Sequence, residues 1–233
     1  MRIGGFQKFS MSDFPARLSA ILFTTGCNFR CPYCHNPELV LPEKFKADIN
    51  IDEIFGFLNR RVGKLDGVVI TGGEPTLHDD LPDLIYSIKE LGYDIKLDTN
   101  GTNPEMLYEL FQEGLLDYVA MDYKAPMDKY HSVTGISEDY YNYLNKIQES
   151  LILLITSNID YEIRTTVAES LLDKDDIKQI REEIGNVNKH YLQKFDSTGK
   201  ILDPHFKNIS QNSREHHEEL QNLVQEMENV YLR

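Results

Sequence analysis

The chain of 233 residues carries 38 acidic against 24 basic side chains, a formal net charge of -14, and 41% of its residues are hydrophobic. That length and apolar content suffice for the core of one domain, while the acidic balance excludes a surface built to neutralise phosphates, so nucleic acid is not an expected partner. The opening stretch MRIGGFQKFSMSDFP lacks the continuous apolar segment of a secretory signal, and no apolar run approaches the roughly 18 residues of a membrane span; a cytoplasmic protein with no membrane partner is expected.

Along the chain, β-rich runs alternate with helical patterns. A strand over 18–26, LSAILFTTG, leads into a cysteine-bearing segment and then a helix whose face is Ile51, Ile54, Phe55, Leu58 and Val62. The second strand, DGVVITGG over 66–73, precedes a helix striped with Leu81, Leu84, Ile85, Ile88 and Leu91. The third, YDIKLDTNG over 93–101, ends in a turn dipeptide before a helix that starts at Pro104 behind the cap candidate Asn103. The fourth strand is LDYVAMDYKAP over 116–126, and Ser137 is the expected cap of a long helix carrying Tyr140, Tyr141, Leu144, Ile147, Leu151 and Leu154. Strands five and six, 159–167 and 189–196, flank a helix with Ile177, Ile180 and Ile184. Residues 196–213 are expected to be mostly irregular. An amphipathic helix with Leu220, Leu223, Val224, Met227 and Val230 then closes the chain, with His216 and His217 on its solvated side.

Six βα units imply a parallel sheet with right-handed crossovers and helices outside. The pattern suits an open doubly wound sheet and a full or partial barrel alike, and in both the C-terminal edge of the strands is the functional one. The polar punctuation falls at that edge: the cysteines, then residues 72–74, 98–101 and 122–124.

Cys27, Cys31 and Cys34 are the only cysteines, spaced C-x3-C-x2-C in a loop leaving a strand. A disulfide framework would leave one thiol over. Structural zinc needs a fourth ligand, and His35 is adjacent to Cys34 and poorly placed to share one tetrahedron. The run CPYCH fits a c-type haem attachment pattern but leaves Cys27 without a role. An iron-sulfur cluster on three thiolates would leave one iron open to a small molecule. At the next strand end TGGEP reads by itself as a tight turn, in which paired glycines allow close approach and Glu74 suits an ammonium partner. LDTNG and MDYKAP read as polar strand ends, Arg164 in YEIRTT as an arginine able to pair a carboxylate, and Gln193 in YLQKF as a polar residue at a suitable strand end.

The spacing C-x3-C-x-aromatic-C, with Tyr33 as the aromatic and TGGEP following, resembles the radical S-adenosylmethionine (SAM) superfamily. That resemblance implies one 4Fe-4S cluster on Cys27, Cys31 and Cys34, with SAM at the open iron. It places Tyr33, Gly72, Gly73, Glu74, Asp98, Asn100, Asp122, Lys124 and Arg164 around SAM, with no catalytic side chain beyond the cluster and the cofactor. In that family the cluster passes one electron to the SAM sulfonium, and the 5′-deoxyadenosyl radical removes a hydrogen. The implied fold is a partial (β/α)6 TIM-like barrel of parallel strands with helices outside, a single domain with a core over about 16–196 and a C-terminal helical extension over about 210–233.

The segment IGGFQKFSMSDFPARLSAILFTTGCNFRCPYCHNPEL, with TGGEPTL, LDTNG, MDYKAP and YLQKF, is similar to the short activating proteins of anaerobic ribonucleoside-triphosphate reductase. The similarity implies a glycyl radical enzyme as partner and an external electron donor such as flavodoxin or ferredoxin. Ala16 stands where such proteins often have glycine, and no cysteine-rich insertion is present, so one cluster is expected. Two other classes stay open: a radical SAM enzyme on a small molecule, as in 7-carboxy-7-deazaguanine synthesis, and a non-catalytic metal-binding module. Tyr140, Tyr141 and Tyr143 are candidates for an interface.

Overall fold

A computed structural model describes residues 1–136, 138–209 and 213–233. Its strands are β1 (Ile3–Ser10), β2 (Ser19–Thr24), β3 (Gly67–Gly72), β4 (Asp94–Thr99), β5 (Tyr118–Asp122), β6 (Asp160–Val167), β7 (His190–Lys194) and β8 (Val230–Leu232). The helices are α1 (Pro37–Val40), α2 (Ile51–Arg61), α3 (Leu81–Lys89), α4 (Pro104–Gln112), α5 (Tyr130–Thr134), α6 (Tyr140–Thr156), α7 (Lys174–Ile184), α8 (Pro204–Ile209) and α9 (Arg214–Glu226). In the sheet the strands lie side by side in sequence order; β2 to β8 run parallel and β1 pairs antiparallel with β2. A doubly wound sheet would reverse its order at a switch point. This one never reverses, and its two ends do not pair, so it is an unclosed, partial barrel.

Alternation along the strands divides the core. Leu22, Ile70, Leu97, Met121, Ile163 and Leu192 pack outward against helix residues such as Leu58, Ile85, Leu107, Ile147 and Ile180, each burial contributing roughly 1.5–3 kcal/mol. Ile21, Val69 and Tyr118 point the other way and, with Phe14, form a separate apolar floor. Helix starts follow capping chemistry: the Asn50 side chain accepts from Asp52 N, that of Asn103 from Met106 N, and Asp173 with Asp176 completes a capping box.

The six expected parallel strands are all present, and the structure corrects several details around them. Strands β1 and β8 extend the sheet at its two edges. In α2 the buried stripe is Ile54, Phe57 and Leu58, while Ile51 and Val62 are exposed because they stand at the helix ends. Ser137 lies outside the described residues; α6 follows Asp139, whose φ is 54°. Within 196–213, Pro204 at a first helical position starts α8, and the Asp203 side chain accepts from His205 N. The terminal helix stops at Glu226, and Asn229 at φ 60° turns the chain so that Val230 enters β8. His216 is buried rather than solvated, and its Nε2 has no partner among the described residues. Tyr143 packs edge-on against Phe29, so of the three tyrosines only Tyr141, 79% exposed, is displayed openly.

Candidate active site

The cysteine loop leaves β2 through Gly26 at φ 103° and is braced from three sides. The first brace is the turn after β3. Gly73 N donates to Thr24 O at 2.9 Å and Glu74 N to Gly26 O at 2.7 Å. A Cβ on Gly73 would lie 1.8 Å from the Gly26 carbonyl oxygen, and one on Gly72, at φ 116°, would lie 2.5 Å from Thr24 N. The paired glycines therefore permit backbone-on-backbone contact directly before Cys27.

Asn100 supplies the second brace. Its side chain donates to Asn28 Oδ1 at 2.8 Å and accepts from Thr102, while Asn28 Nδ2 donates to Thr102 Oγ1 at 2.8 Å. The third brace is the chain after β7: Leu202 N donates to Cys34 O at 2.9 Å, Asp203 N to Pro32 O at 3.0 Å, and His35 Nε2 to Asp196 O at 2.7 Å. Tyr33 is buried against Phe195 and Phe206.

Glu74 is 1% exposed. Its Oε1 accepts from Thr76 N, Thr76 Oγ1 and Thr99 Oγ1, and its Oε2 from Asn100 N at 2.7 Å. Burial still pushes its carboxyl above the usual range.

Beside it, the inward ends of β4, β5 and β6 carry a ladder of alternating charge. Lys96 pairs with Asp98; Arg164 Nη1 donates to Asp98 at 3.1 Å and its Nε to Asp122 at 2.8 Å; Lys124 Nζ donates to Asp122 at 2.7 Å. Register explains the assembly, since Asp122 and Arg164 are paired neighbours on β5 and β6. Burial alone would raise both carboxyls, yet Arg164 with Lys124 holds Asp122 at about 2, and Arg164 with Lys96 holds Asp98 below its ordinary value. Three cations against two anions leave the ladder one positive charge in excess.

Every residue singled out for the cluster or for SAM lines one cavity of about 380 Å³: the three cysteines, Tyr33, Gly72, Gly73, Glu74, Asp98, Asn100, Asp122, Lys124 and Arg164. Gln193 lines it as well. Sequence reasoning missed Asn28, which ties the cysteine loop to the β4 turn, and Lys96, which shares the face of Asp98 two positions away. It also missed Thr166 and Lys194 on the cavity wall. Strand periodicity could have found Lys96, but only tertiary structure reveals the partners of Asn28.

The thiols suit a cluster in their chemistry. Burial raises Cys27 to about 12 and Cys31 to about 11, and it raises Cys34 as well. Ionising all three calls for strong positive charge nearby, which cluster iron supplies. The Tyr33 hydroxyl is buried beside Cys31.

Comparison with known proteins agrees with this geometry. A protein of Methanocaldococcus jannaschii, provisionally named a glycyl-radical enzyme activating enzyme, is 34% identical over 99% of this chain and 95% of its own length. The 7-carboxy-7-deazaguanine synthase of Aquifex aeolicus is 35% identical, over 42% of each chain. Among solved structures, a radical SAM methyltransferase from Sphaerobacter thermophilus superposes with a TM-score of 0.69 at 12% identity, covering 97% of this chain and 68% of that one; at such identity the likeness is one of fold. Residues 21–159, which carry the cysteine loop, the glycine turn and most of the charge ladder, match the family description itself, and the chain belongs to the radical SAM superfamily.

Proposed function

We propose that this radical SAM enzyme is a glycyl radical activating enzyme whose partner is an anaerobic ribonucleoside-triphosphate reductase. The observation that carries the reading is the span of likeness. The M. jannaschii protein provisionally named an activating enzyme matches across 99% of this chain, whereas the small-molecule synthase matches across 42%. When bound, a reduced 4Fe-4S cluster and SAM together supply the 5′-deoxyadenosyl radical that removes one hydrogen atom from a glycine Cα.

The residues of the chain divide the remaining work. Cys27, Cys31 and Cys34 hold the cluster, and the braces on their loop set its position. The carbonyls of Gly72 and Gly73 and the carboxylate of Glu74 receive the SAM ammonium. The spare cation of the ladder, at Lys124 and Arg164, receives the SAM carboxylate, and Asp98 and Asp122 face the ribose hydroxyls. Asn100 contributes through the loop it braces, since its side chain is spent on Asn28 and Thr102. Tyr33 packs behind the cluster loop and bounds the pocket. An external donor of the flavodoxin or ferredoxin class supplies the electron.

The test is anaerobic mixing of cluster-loaded protein, SAM and reductant with the reductase of the same host, followed by EPR at the frequency of an organic radical. A glycine-centred doublet on the partner supports the reading. Consumption of SAM with no radical on the reductase, together with turnover of a pterin-like molecule, would replace it with the small-molecule alternative.

A further inference from the structure

The polar groups around the cavity fall into two sets. On β3, β4 and β5, Glu74, Asp98, Asn100, Asp122 and Lys124 are all bonded within the protein, and Arg164 on β6 closes that network. On the β6–β7 side the situation reverses. The Thr166 hydroxyl and the Gln193 carboxamide line the same cavity, yet neither side chain makes a hydrogen bond to any described residue. The two residues are paired neighbours in the β6–β7 register, so their side chains share one face. Both side chains are half-buried and keep access to the cavity, so the hydroxyl and the carboxamide can exchange water there for the polar groups of a ligand.

The chemistry of the target narrows the ligand. Glycine offers no side chain, so anything that positions a glycine Cα must hold the peptide groups on either side of it. A carboxamide is suited to this, because it presents a donor and an acceptor in one plane and matches the N–H and C=O of a peptide unit. We infer that Gln193, assisted by the Thr166 hydroxyl, holds the main chain of the target glycine loop, with Nε2 donating to a peptide carbonyl and Oε1 accepting a peptide N–H. The inference rests on the glycyl radical reading above. It assigns the β6–β7 side to the substrate and the β3–β5 side, with Arg164, to the cofactor.

The probe is a fluorescein-labelled, end-blocked pentaglycine, titrated by anisotropy into cluster-loaded, SAM-bound protein. Its partner is the same peptide with sarcosine at the centre, which lacks the central N–H. Sarcosine is expected to weaken binding to the wild-type protein by about five- to tenfold, the range for one hydrogen bond, and Gln193→Leu to weaken pentaglycine by a similar factor. In Gln193→Leu the sarcosine penalty should vanish, because the two changes remove the same contact. Gln193→Glu keeps the acceptor, so there the sarcosine penalty should persist. A wild-type protein that ignores sarcosine or fails to bind pentaglycine, or penalties that simply add in Gln193→Leu, would overturn the inference. The functional reading fails by a different result: wild-type protein that binds pentaglycine deuterated at Cα and cleaves SAM yet places no deuterium in 5′-deoxyadenosine.

Discussion

Replacing Arg164 with methionine removes the central cation from the ladder Lys96, Asp98, Arg164, Asp122 and Lys124. Asp98 and Asp122 are then left facing each other, each with one cation on its far side. Deleting one partner of a buried pair costs about 3–5 kcal/mol. Because the Asp122 side chain keeps 23% exposure, the expected loss is near the lower end, about 3 kcal/mol at pH 8.

The pH dependence follows from the signs. In the wild-type protein Asp122 is held at about 2, below its unfolded value, so its stabilising contribution is complete above the unfolded pKa and is lost as pH falls through about 2. In the variant, burial and mutual repulsion raise at least one carboxyl above its unfolded value. A raised group stabilises below the unfolded pKa and loses that contribution as pH rises through the folded one. Arg164→Met should therefore be less destabilised at pH 5 than at pH 8, by about 1.4 kcal/mol for each unit by which the raised pKa exceeds 5. Urea unfolding followed by circular dichroism at the two pH values reads this directly. A loss below about 1 kcal/mol, or the same loss at both pH values, would show that solvent screens the ladder and refute the reasoning.

Other expectations are as specific. Burial holds His190 neutral, down to about 3, so its contribution is full above the unfolded value near 6.5 and declines as pH falls; between pH 6.5 and 4 the wild-type protein should lose about 1.4 kcal/mol per pH unit more than His190→Gln in pH-dependent unfolding. Gly73→Ala forces its Cβ into the Gly26 carbonyl and should sharply lower iron bound after reconstitution, whereas Gly56→Ala in α2 meets only the tip of Arg60 and should raise stability by up to about 1 kcal/mol with iron content unchanged. Ala16 sits at φ 58°, so Ala16→Gly should gain about 0.5–1 kcal/mol in denaturant melts; a loss would mean that the left-handed strain is absent.

The parts legible in the sequence are those written in local pattern. Six strands were readable because each combines outward aliphatics with a polar or glycine-rich C-terminal end, and the cavity residues sit in those ends. Edge strand β1 was hidden by Gly4 and Gly5 and by exposed Phe9. Strand β8 is three residues long, and Val230 continues the helical spacing of Leu223 and Met227, so periodicity assigned it to the helix. The choice between barrel and doubly wound sheet depends on strand order, which alternation alone does not encode. The braces from Asn28 and from the chain over 196–203 depend on where the backbone returns, and no spacing rule reports that. His216 was misjudged because its exposure depends on the surface beneath α9.

The central claim is that Cys27, Cys31 and Cys34 hold a cluster with an iron open to SAM. Anaerobic reconstitution with iron and sulfide, dithionite reduction, and EPR with and without SAM test it most directly, paired with an assay for 5′-deoxyadenosine. The account predicts the signal of a reduced 4Fe-4S cluster that changes on adding SAM, with cofactor cleavage that disappears when any one of the three cysteines is replaced by alanine. A protein that assembles no cluster, or one whose cluster signal is indifferent to SAM, would contradict it.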